Sequence, residues 1–133
     1  MMDNYIIKEA DKTKAALVAI LRQLFQMSST AAPAEIRDCA RNELSERLGL
    51  DVDSLLEKEN FIPLLVSDYH FDDSDLNKFA ELLYTVLRAD EGKDDVHNLY
   101  AKAISAINKW LDDRGQAFSA TRHYVLEENS RYF

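Results

Sequence analysis

From Asn4 to Gln26 the chain carries an apolar rhythm that neither glycine nor proline interrupts. Ile6, Ala10, Thr13, Leu17, Ile20 and Leu24 recur at 4-3-4-3-4 spacing, and Ile7, Val18, Leu21 and Phe25 widen the stripe. A strand would alternate with period two, so this pattern admits only a helix. Asp3 stands where an N-cap is wanted. At 1.5 Å per residue the helix would span about 35 Å, close to the diameter of a domain of this size. Its second half is apolar around most of its circumference. Such a helix must be covered on more than one side, by its own domain or by a second subunit. Leu17, Ile20, Leu21, Leu24 and Phe25 are therefore the expected self-association face.

The remaining segments read the same way. Pro33 opens a second helix that repeats Ile36, Ala40, Leu44 and Leu48 and stops at Gly49. Asp51 or Asp53 caps a short helix over Ser54 to Glu59. Phe61 to Val66 is ambiguous, because Pro63 disfavours a helical residue before it, so a broken helix or an extended buried crossing is expected. Asp72-Asp73-Ser74-Asp75 announces a helix over Ser74 to Ala89 with Leu76, Phe79, Leu83, Val86 and Leu87 on its stripe. Asp94-Asp95 opens another, carrying Val96, Leu99, Tyr100, Ala103, Ile104, Ile107 and Leu111 as far as Gly115. A last helix is expected from Ser119. The pattern predicts an all-α single domain of five to six helices over residues 1–133. A long N-terminal helix, 1–27, packs on a helical body, 33–133. The spacing of the later helices gives a faint hairpin-repeat character, without the tetratricopeptide signature.

Composition narrows the function classes. The 133 residues include three glycines and two prolines, against turn-rich all-β and collagen-like folds. Sixteen Lys+Arg against twenty-four Asp+Glu give a formal charge of −8, which repels phosphate backbones. The excess lies wholly in residues 49–133, while residues 1–48 balance seven basic side chains against seven acidic ones. No nucleic-acid partner is expected. The single cysteine, Cys39, cannot form an internal disulfide, no apolar run reaches membrane-span length, and the signal-like Ala15–Leu21 stretch follows a neutral rather than basic start. A cytoplasmic protein with no membrane contact is expected.

The opening Asp3-Asn4-Tyr5-Ile6-Ile7-Lys8, the Leu99-Tyr100 helix and Trp110-Leu111-Asp112-Asp113 carry a likeness. Both ends of the chain resemble a family of small all-helical bacterial proteins of unknown function, whereas Phe61 to Phe71 has no counterpart. The resemblance implies a helical fold and brings no catalytic residue with it.

No constellation of residues asks for catalysis. Asp68, His70, Asp72, Asp73 and Asp75 could approach a divalent metal, yet they lack the glycine and closing glutamate of a calcium loop, and helix capping accounts for the acids. Asp90, Glu91, Asp94 and Asp95 read as caps, with His97 on the surface. His123 has no paired nucleophile, and Cys39 fits an inert thiol beside the Ile36–Ala40 stripe. No catalytic residue, cofactor or metal is assigned. Tyr100 and Trp110, at the edge of their stripe, are the expected lining of a peptide or small-molecule groove. The sequence thus points to a non-enzymatic helical scaffold that binds protein, foremost another copy of itself. A metal or small-ligand protein using the Asp68–Asp75 cluster and a peptide-binding hairpin module are the alternatives.

Overall fold

In the computed structural model, backbone is described for residues 2–89 and 95–113, and side-chain surroundings for 11–89 and 95–113. Among the described residues six helices follow one another: α1 Met2–Met27, α2 Pro33–Leu48, α3 Val52–Leu56, α4 Phe61–Asp68, α5 Asp73–Ala89 and α6 Asp95–Asp113. No strand occurs among the described residues, and the fold is all-α. The helix expected from Ser119, together with His123, lies outside the described residues, as do Asp90, Glu91 and Asp94.

Local chemistry explains where the helices begin and end. Pro33 takes the first turn of α2, where its missing N–H costs nothing, and Gly49 ends the helix in the left-handed region at φ 65°. Asp51, rather than Asp53, caps α3, its carboxylate accepting from the Ser54 amide. Asp72 and Asp75 bind each other's backbone amides at 2.8 and 3.1 Å, a reciprocal capping box at the start of α5.

Of the two alternatives anticipated for Phe61 to Val66, a broken helix or an extended crossing, the segment takes neither in full: it is helical and continuous. It is a helix, because Pro63 falls within the first turn, where no intrahelical donor is lost. Its far end copies that of α2. His70 stands in the left-handed region at φ 60°, and the Phe71 amide bonds back to the Leu65 carbonyl. After Gly49, the Leu50 amide reaches the Leu44 carbonyl in the same manner. Both turns drive an apolar side chain, Leu50 or Phe71, into the interior.

Helix α5 is the hub. It packs against α1, α2 and α6, and it buries Leu76, Phe79, Leu82, Leu83, Val86 and Leu87 among others. Helix α3 leans on α6 and α2. One contiguous apolar cluster gathers side chains from all six helices.

Candidate functional site

Helix α1 presents two unlike faces. Inward, Ala16, Leu17, Ile20, Leu21 and Leu24 are buried against the chain's own interior, with Leu17, Ile20 and Leu24 completely inaccessible. The stripe is broad because α1 packs against two helices, α2 and α5. This corrects the expected self-association face. Four of its five residues, Leu17, Ile20, Leu21 and Leu24, are core side chains already covered within the protomer. Phe25 alone remains outward, 57% exposed.

Outward, a second stripe runs Asp11, Ala15, Val18, Arg22 and Phe25, all exposed. Its spacing is again 4-3-4-3. Val18 at 37% and Phe25 at 57% are two of the three large apolar side chains that stand exposed among the described residues; the third, Val66, is on α4. A cleft of about 180 Å³ opens beside Phe25, between the ends of α1 and α5, lined by Ser28, Thr85, Arg88 and Ala89. Arg88 lies 5.9 Å over the Tyr84 ring on the same end of α5.

Lys14 sits at the edge of the outer stripe and tethers α1 to the start of α5. Its ammonium donates to Asp72, with which it forms an ion pair, and to Asp75 at 3.2 Å. The Asp75 carboxylate is fully buried, and burial raises it above the ordinary carboxylate value. Asp72 is held below that value: burial pushes it up, but the bonds from Lys14 and the Asp75 amide outweigh the push. Beside this tether the Thr13 hydroxyl donates to the Tyr69 carbonyl at 3.1 Å.

The acidic segment is divided by these commitments. Asp72 and Asp75 belong to the cap and the tether, while Asp68 and His70 border a different cleft of about 450 Å³ where α2 and α4 end. No group of three or more potential metal ligands forms among the described residues.

Tyr100 is not a groove residue. It is 1% exposed, and its hydroxyl donates to Asp53 Oδ1 at 2.7 Å. Burial and the neighbouring Asp53 push its phenol well above its ordinary value, so it acts only as a neutral donor. Arg41 completes the cluster with an ion pair to Asp53 Oδ2 at 2.5 Å, joining α2, α3 and α6. Trp110 is half-buried at the margin of the core. His97, expected at the surface, is enclosed at 1% exposure because its turn of α6 faces inward. Cys39 is half-buried, its thiol raised by burial and by Glu43.

The groove that does exist on α6 lies one helical face away from Tyr100. Leu56, Phe61, Leu99, Ala103 and Ala106 line a mainly apolar cleft of about 490 Å³, with Lys102 among the charged side chains at its rim. The small side chains of Ala103 and Ala106 leave this space open beside the larger Leu99 and Phe61.

Known proteins add nothing to this geometry. No family model, curated protein or solved structure matches the chain. The likeness of its two ends to a small all-helical bacterial family thus rests on hydrophobic pattern alone. No helix among the described residues is long and apolar enough to cross a membrane.

Proposed function

We propose that this chain is a non-enzymatic helical interaction protein that associates with a second copy of itself through the outer face of α1. The observation that carries the reading is the pairing of Val18 and Phe25 on one solvent-facing stripe, on a helix whose opposite face is fully occupied by the core. Exposed apolar side chains scattered singly need no explanation, but two on one helical seam make a contact surface. Supporting it, Ala15 keeps the middle of the seam low, so that another backbone can approach closely.

Light scattering on the full chain tests the reading. The expected mass is a multiple of 15.3 kDa, and Val18→Glu combined with Phe25→Glu is expected to give a folded monomer. A wild-type monomer at every concentration would dismiss it. The second reading, a peptide-binding module, is favoured by the apolar cleft at Leu99 and Ala106. It predicts that Ala106→Trp abolishes binding of an amphipathic peptide and leaves the oligomeric state alone.

A further inference from the structure

The outer stripe of α1 carries a charge order as well as an apolar one, and the order fixes how two copies would meet. Asp11 and Arg22 stand near its two ends, both exposed, and neither has an ion-pair partner or hydrogen bond within the described protein. Between them lie Ala15 and Val18. The steps of four, three, four and three residues are those of a helix seam that packs against a second helix.

Two parallel copies in register would set Asp11 against Asp11 and Arg22 against Arg22, repulsive at both ends. An antiparallel pair places each position of one helix against its complement on the other, so Ala15 meets Val18 of the second copy. Asp11 then meets Arg22 of the second copy, twice over, because the two-fold axis repeats the contact. A one-turn slip in either direction keeps the helices antiparallel but separates the opposite charges.

We infer that α1 pairs with α1 of a second copy in antiparallel register, the two-fold axis passing between Ala15 and Val18, with reciprocal Asp11–Arg22 ion pairs flanking the apolar centre. The inference rests on the self-association reading above and adds to it an orientation and a register. Lys14 stays out of the pairing because Asp72 and Asp75 already hold it. Phe25 lies beyond the charged layer, opposite position 8 of the second copy in this register.

Charge reversal on the full-length protein tests the register. Asp11→Arg and Arg22→Asp are each expected to weaken dimerisation about tenfold, since each converts two attractive contacts into repulsive ones. The double variant, Asp11→Arg with Arg22→Asp, restores the opposite pairing and is expected to return to within about twofold of the wild type. Both positions are exposed, and helical circular dichroism verifies that each variant is folded. A wild-type dimer that ignores the single reversals, or a double variant weaker than either single one, overturns the antiparallel register while leaving self-association standing. A wild-type monomer overturns both.

Discussion

At the scale of single residues, two turns with one geometry are built from different amino acids. Gly49 and His70 both occupy the left-handed region, at φ 65° and 60°, each followed by an apolar residue that plunges into the core. A side chain added at Gly49 would meet nothing within 4 Å. Gly49→Ala is therefore expected to cost about 1 kcal/mol from backbone conformation alone, and His70→Gly to raise stability by up to about 1 kcal/mol. Urea denaturation of the two variants checks both signs. The sequence revealed Gly49 as a stop because glycine advertises such a turn; His70 carries no such mark. Tyr100 and His97 were hidden for a related reason. An amphipathic side chain at the margin of a stripe is placed by the helix that arrives to cover it, and that arrival is a tertiary event.

At the scale of elements, the periodic helices were legible almost to their ends. Pro33–Leu48 agrees at both boundaries, and the start of α5 differs from its expectation by one residue. Phe61–Asp68 was not legible, because the effect of Pro63 depends on how far into the helix it falls, and only the fold decides that. The Lys14 tether joins two elements fifty-eight residues apart in sequence, beyond the reach of any spacing argument. It also makes stability depend on pH in two opposed ways. Asp72, held below its ordinary value of 3.8, contributes stability above that pH which is lost as pH falls through its lowered value. Asp75 is shifted upward by burial, so the fold gains stability as pH falls through its raised value, and Glu81, also raised by burial, acts in the same direction. The melting temperature is therefore expected to rise modestly on acidification from neutrality and then to drop below about pH 4. In Asp75→Asn the rise shrinks to the share due to Glu81. Thermal melts across that range decide the matter.

At the scale of the whole molecule, the apolar excess of the first helix was correctly visible and its destination was not. A stripe too wide for one neighbour calls for cover from the domain itself or from a second subunit; the chain meets most of it by setting α2 and α5 against the same rod. The two faces accordingly make different predictions. Leu24→Ala removes a fully enclosed side chain and is expected to cost about 2–5 kcal/mol in chemical denaturation. Phe25→Ser, one position further along, is expected to leave the midpoint within about 0.5 kcal/mol while weakening association. Equal losses of stability at the two positions would deny that the outer face is free. Because cohesion of the protomer and the proposed attachment to a second copy draw on opposite sides of one rod, the two would be retunable independently. Substitutions confined to Asp11, Ala15, Val18, Arg22 and Phe25 would redirect which copies recognise each other, and orthogonal pairs could be derived from a single unchanged scaffold.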